Sequence, residues 1–185
     1  MFKNTTEIKI FSREKLVDSD LPERIIEFDK QNMAAMLEAA VLDFPEENRR
    51  KSFQHNPTLI VAFHGERIAG YIEYLRSWTD ERHIYVSSLQ IATEFRNSKL
   101  LLQLLDKFMN VVREETFSGF ETNVQKVNGR AVELCRKLGF KLTQNPRNEA
   151  SWAATAGPEL LSTSPIIPLL KKWKRQAQDH NNTRN

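Results

Sequence analysis

The chain has 185 residues, of which 40% are apolar and 28% charged, and its formal net charge is +3. This composition describes one ordinary domain large enough to bury a core, and it excludes low-complexity, fibrous and membrane-spanning chains. One cysteine, Cys135, excludes an internal disulfide framework and fits a reducing compartment. The amino-terminal MFKNTTEIKI lacks the basic-then-apolar layout of a signal peptide, so a soluble, cytoplasmic protein is expected. Much of the positive excess sits in KKWKRQ at 171–176, while charges of both signs interleave elsewhere. A nucleic-acid binder carries a basic face on its folded part, so this layout argues against nucleic acid as a partner.

Along the chain, EIKIF at 7–11 alternates and predicts a first strand. Pro22 suits the first turn of a helix, and Ile25, Ile26, Met33, Met36, Leu37, Ala40 and Val41 continue a helical pattern to about residue 42. The charged run DFPEENRRKSF at 43–53 predicts a short helix after Pro45. Two β-rich runs, 58–63 and 67–75, flank the glycine-containing HGE and read as a hairpin. A polar connection at 76–82 leads into a strand at 83–91, HIYVSSLQI.

A helix is predicted over 98–113, with Asn97 or Ser98 as N-cap. Leu101, Leu104, Leu105, Phe108 and Val112 form one face of it, broadened by Leu100, Leu102 and Val111. A strand at 119–124 is followed by a helix from about Asn128 to Leu138. It ends in KLGF, where Gly139 suits the left-handed cap and Phe140 can fold back on the last turn. FKLTQ and EASWAATA read as two closing strands, and the signals weaken beyond Pro158. The expected organisation is a domain at 1–160 and a basic, partly flexible tail at 161–185. The order β-α-α-β-β-β-α-β-α-β-β predicts an α/β chain of the α+β kind: a mixed, mostly antiparallel central sheet flanked by helices.

Two segments carry a resemblance. YVSSLQIATEFRNSKLLLQLL and NVQKVNGRAVELCRKLGF resemble the GNAT superfamily of N-acetyltransferases, the second through Asn128, Ala131, Leu134, Lys137, Leu138, Gly139 and Phe140. The likeness extends over roughly residues 6–158. It implies a GNAT-type fold, acetyl-CoA as acyl donor, no metal, and transfer by direct attack of an amine within a ternary complex. The acceptor would be a small-molecule amine or a protein amine, with no membrane involved; relatives often form homodimers. The backbone of Leu89, Gln90 and Ile91 would face the pantetheine arm. The turn Arg96, Asn97, Ser98, Lys99, Leu100 and Leu101 would meet the pyrophosphate, and Asn128 would open the second motif helix.

The chain departs from the family pattern at three places. Lys99 and Leu101 stand where the turn usually has glycine or alanine. Cys135 stands where many relatives have a tyrosine credited as general acid, and Ser88 where a glutamate often lies near the reacting amine. A helix start favours anions, and Arg96 and Lys99 could supply charge that glycine lacks. The plainer reading is that Ser98 caps a core helix, Leu101 is core and Lys99 is solvated. For the base, Glu73 in GYIEYL is the first candidate, with His83 and Tyr85 behind it; Ser88 could orient the amine. Cys135 lies on an apolar helix face, and from the cleft it could donate a proton to the leaving thiolate. The competing expectation is a non-catalytic GNAT-fold module for interaction or regulation, with a degenerate CoA site.

Overall fold

The computed structural model describes residues 6–17, 19–39, 41–96 and 99–182; Ala40, Asn97 and Ser98, named above, lie outside the described residues. The first elements are Thr6–Phe11 (β1), Arg13–Val17 (α1), Leu21–Ala39 (α2) and Glu46–Ser52 (α3). Three strands follow, Thr58–His64 (β2), Arg67–Arg76 (β3) and His83–Ile91 (β4), then the helix Leu100–Val112 (α4). Gly119–Gln125 (β5), Gly129–Leu138 (α5), Lys141–Gln144 (β6) and Ser151–Ala156 (β7) precede Leu160–Thr163 (α6) and Ile167–Asn182 (α7). The sheet has seven strands in the order β1-β2-β3-β4-β5-β7-β6. Ladders β1–β2, β2–β3, β5–β7 and β6–β7 are antiparallel, whereas β4–β5 is parallel. This is the mixed, mostly antiparallel sheet with helices that the element order predicts.

The chain forms two compact units, residues 1–76 with 86–108, and residues 77–85 with 109–185. In the first, β3 has six consecutive buried residues, Ala69 to Tyr74, so both of its faces are covered. Tyr71 and Glu73 share one face because strand side chains alternate, and Tyr74 on the other packs edge-on against Phe108 of α4 at 5.3 Å. Leu16, Leu21, Ile25, Leu59, Val61, Phe63 and Tyr71 make a continuous apolar cluster. The β2–β3 hairpin closes between His64 and Arg67, with Gly65 at φ +63°, a conformation glycine adopts without a Cβ clash. Gly70 permits close approach of β3 to β4: a Cβ there would come within 2.7 Å of the Gln90 carbonyl oxygen.

In the second unit, Asn128 caps α5 by accepting from the Ala131 N–H at 3.1 Å. The same helix ends with Gly139 at φ +98° and a Phe140 N–H bond to the Cys135 carbonyl, the double-bonded glycine stop anticipated from KLGF. The carboxy-terminal region differs from the weak pattern read there. Pro168 falls in the first turn of α7, where its missing N–H costs nothing. Buried Leu170 and half-buried Trp173 form the inward side of a helix whose Lys171, Lys172, Lys174 and Arg175 are exposed. A largely polar helix with so few inward positions gives little periodic signal.

Candidate active site

A charged network is buried in the first unit. Asp29, on α2, follows Leu21 and Ile25 at four-residue spacing, so it lies on the helix's inward stripe and is only 3% exposed. Glu73 on β3 is 1% exposed. Arg49 of α3 reaches between them and spends all five guanidinium N–H groups. Nε donates to Asp29 Oδ2 at 2.8 Å, Nη1 to Ser52 Oγ at 2.7 Å and Glu73 Oε1 at 3.1 Å, and Nη2 to Glu73 Oε2 at 2.7 Å and Tyr71 Oη at 3.2 Å. The guanidinium also lies over the Phe53 ring, 4.5 Å from its centroid.

Hydroxyl groups extend the network towards β4. Tyr71 donates to Asp29 Oδ1 and Oδ2 at 2.7 and 2.9 Å, and its oxygen lies 3.0 Å from Ser88 Oγ. Ser87 donates to Glu73 Oε1 at 2.6 Å. Both serines are half-buried. Burial raises the Asp29 carboxyl above its ordinary range, with Arg49 and the Tyr71 bond acting against that rise. Burial also raises the Tyr71 phenol well above its usual range, so it stays protonated. For Arg49, burial favours loss of the proton, but Tyr71, Glu73 and Asp29 together outweigh it and hold the group charged.

Glu73 and Ser88, both singled out from the sequence, therefore belong to one network, whereas Asp29, Arg49, Tyr71 and Ser87 are additional members. Asp29 carries a legible signal, a carboxylate four residues after Ile25 on an apolar helix stripe. Arg49 carries none. Its neighbour Arg50 looks identical in sequence but sits on the surface with Glu23 and Glu46.

The segment after β4 has its own geometry. The ladder with β5 runs over His83–Tyr85 and ends there, while β4 continues to Ile91. The Ala92 N–H then bonds the Ala69 carbonyl, tying the end of the strand to β3. Arg96 turns back: its Nη2 donates to Asn32 Oδ1 at 2.9 Å and its Nε to the Ile91 carbonyl at 3.3 Å. Asn32 in turn donates to Gln90 Oε1 at 2.7 Å, so Arg96 and Asn32 clamp this turn to α2. Lys99 is exposed, and its carbonyl accepts the Gln103 N–H in the opening turn of α4; Leu100 is buried and Leu101 half-buried.

In the second unit, Cys135 is a half-buried free thiol whose burial raises its pKa, which keeps it protonated. His83 pairs through Nδ1 with Glu121 Oε1 at 2.5 Å, and Glu121 Oε2 accepts from Ser77 at 2.8 Å and Thr79 at 3.1 Å. Desolvation works to raise the Glu121 pKa, but the His83, Ser77 and Thr79 hydrogen bonds outweigh it and leave it lowered. The Tyr85 hydroxyl accepts from Asn123 at 3.2 Å. Among the described residues there is no cluster of His, Cys, Asp and Glu able to hold a metal, and no helix long and apolar enough to cross a membrane.

Residues 21–140 match the model of the acetyltransferase (GNAT) family. None of the curated proteins matches the chain. Among solved structures, an acetyltransferase from Streptococcus agalactiae is similar at 18% identity and a TM-score of 0.65, covering 84% of this chain and 99% of that one. The PaiA N-acetyltransferase of Thermoplasma acidophilum, solved with coenzyme A, gives 16% identity and a TM-score of 0.60 over 83% of this chain and 99% of that chain. NAA60 of Arabidopsis thaliana, solved with a bisubstrate analogue, gives 12% and 0.58 over 83% and 98%.

Proposed function

The chain belongs to the GNAT acetyltransferase family, and from that premise we propose that it moves an acetyl or related acyl group from acetyl-CoA to an amine. The observation that carries this reading is the run of β4 through Leu89–Ile91 into a clamped turn and the head of α4. A helix start presents N–H groups and a positive dipole end to an anion. Exposed Lys99 adds a charge opposite to that of a diphosphate, so the residues present suit this substrate. In this reading the backbone of Leu89, Gln90 and Ile91 holds the pantetheine arm. Lys99, Leu100 and Leu101 at the head of α4 meet the diphosphate, with Arg96 held to α2 through Asn32. Asn128 sets the start of α5.

The reaction joins the amine nitrogen to the thioester carbon and breaks the carbon–sulfur bond. Ser88 faces the amine, and the leaving thiolate takes up a proton released from the attacking nitrogen. Glu73 is bound by Arg49 and Ser87, so its role in this scheme is to hold the network rather than to meet the amine directly. The acceptor class is a small-molecule or protein amine, and a cytoplasmic setting belongs to the same proposal. Calorimetric titration with acetyl-CoA, followed by a thiol-release assay over an amine panel, tests it. Absence of binding up to millimolar donor removes it.

A second reading, a non-catalytic GNAT-fold interaction module, is favoured by one observation: the side chains of Arg96 and Glu73 are both committed to internal bonds. It requires that no amine in the panel be acetylated. Any enzyme-dependent turnover rejects it.

A further inference from the structure

The hydroxyl protons of the buried network have a direction. Tyr71 has one proton, which it donates to Asp29, and its oxygen accepts from Arg49 Nη2. The contact between Tyr71 Oη and Ser88 Oγ at 3.0 Å must then be a donation by Ser88. All three groups are thus aligned inward, from a half-buried serine through a fully buried tyrosine to a carboxylate. Such an alignment leaves the lone pairs of Ser88 Oγ directed away from the network, able to accept a hydrogen bond from a donor outside it.

We infer that Ser88, Tyr71 and Asp29 form a proton relay that removes the acceptor amine's proton and stores it on Asp29. The inference rests on the acyl-transfer reading above. In the relay an amine N–H bond breaks and its proton joins Ser88 Oγ, while the original Ser88 proton passes to Tyr71 Oη. The original Tyr71 proton passes to Asp29, which changes from carboxylate to carboxylic acid. The nitrogen lone pair freed at the start attacks the thioester carbon. As the carbon–sulfur bond breaks, a second N–H proton passes from nitrogen to the leaving thiolate, and the stored proton returns to solvent by the reverse path after the neutral amide leaves. Tyr71 and Asp29 act through Ser88, as positioning residues for its hydroxyl and as the store for its proton.

Asp29 suits the terminal position better than Glu73. Glu73 takes two guanidinium bonds and a serine bond, whereas Asp29 takes one guanidinium bond and the phenol. The charged and titratable groups facing Asp29 are Arg49 from α3 and Tyr71 and Glu73 from β3. Arg49 and Tyr71 stabilise its carboxylate, and Glu73 opposes them. One cation serving two carboxylates leaves the network short of positive charge, which one added proton supplies.

The test compares acetyl-CoA consumption by the full chain with two kinds of acceptor. A primary alkylamine and a lysine peptide are strong bases that arrive protonated, whereas hydroxylamine is a weak base that arrives unprotonated and needs no relay. Asp29→Asn and Tyr71→Phe should each lower kcat/KM for the strong bases by roughly a hundredfold, within the usual range for general-base catalysis. Hydroxylamine rates and acetyl-CoA affinity should stay within a few-fold. The acidic limb of the pH–rate profile with the strong bases should shift in Asp29→Asn to the pH range in which the amine itself loses its proton. Ser88→Ala, at the half-buried end of the network, should give the same selective loss if either buried variant fails to fold. Equal losses with both kinds of amine, or no loss with the strong bases, overturn the relay while acyl transfer stands. A wild-type chain that transfers to neither kind of amine overturns acyl transfer itself, and the relay with it.

Discussion

Replacing Arg49 by methionine would remove the cation from a buried cluster that keeps two carboxylates. In the wild type its side chain is 13% exposed, and those of Asp29 and Glu73 are 4% and 2% exposed. Removing one partner of a buried ion pair costs about 3–5 kcal/mol, because the other charge is left without compensation. Here one guanidinium serves both acids, so the upper part of that range is expected. For a domain of this size each kcal/mol moves the midpoint by about 2–4 °C, so the loss corresponds to roughly 6–20 °C in Tm. Arg50→Met is the internal control. Arg50 is 49% exposed and its pairs with Glu23 and Glu46 are surface pairs that solvent screens, so its loss should leave stability nearly unchanged.

The loss should also depend on pH, with a sign fixed by Asp29. Burial raises its pKa in the folded chain, so the folded state binds this proton more tightly than the unfolded state. Its contribution to stability is then present below the unfolded value and declines as pH rises towards the folded one. Arg49 opposes that rise, so Arg49→Met should move the folded value higher and widen the window. Denaturant titrations should therefore show a larger defect above neutral pH than below it. Asp29→Asn in the Arg49→Met background should recover part of the loss by removing one of the stranded charges. An Arg49→Met defect below about 1 kcal/mol at neutral pH, no larger than that of Arg50→Met, would refute the account of the network as a buried, mutually dependent cluster.

Gly70→Ala should destabilise by about 1–3 kcal/mol, the usual cost of overpacking, because its Cβ meets the Gln90 carbonyl rather than a movable side chain. It should also weaken acetyl-CoA binding measured by calorimetry, since the displaced backbone is the one assigned to the pantetheine arm. Asn128→Ala removes the α5 cap bond and should cost about 1 kcal/mol by thermal denaturation, with less effect for Gly. Lys99→Gly and Leu101→Gly separate charge from crowding at the head of α4. Weaker acetyl-CoA binding in the first marks Lys99 as a phosphate contact, whereas tighter binding in the second marks Leu101 as an obstacle.

Strand and helix positions were legible wherever one period dominated. The hairpin at 58–75, the α4 stripe and the KLGF stop each state their conformation locally, and the structure follows them within a few residues. α1 and α7 were not, because a five-residue helix spans little more than one turn and a mostly exposed helix has few apolar positions to repeat. The network was legible only in fragments. Its charged members lie 20 and 24 residues apart in sequence, between Asp29 and Arg49 and between Arg49 and Glu73, and no local pattern links them. EENRRKS reads as a solvated charged helix, and for Arg50 that reading is right. Only tertiary packing distinguishes the arginine that points inward.

The adjacent serines of β4 carry a further implication. Consecutive residues on a regular strand face opposite sides of the sheet. Yet Ser87 bonds Glu73 and Ser88 contacts Tyr71, and those two partners share one face of β3. β4 nonetheless brings both hydroxyls to the same network, Ser87 lying also against the Glu73 backbone carbonyl at 3.3 Å. The pair stands immediately before Leu89, where the backbone assigned to the acyl donor begins, and beyond the last β5 ladder position at Tyr85. On the relay reading, Ser88 would reach a carboxylate through Tyr71 instead of supplying one itself, and the basicity of the site would then depend on Asp29 of α2 and Tyr71 of β3.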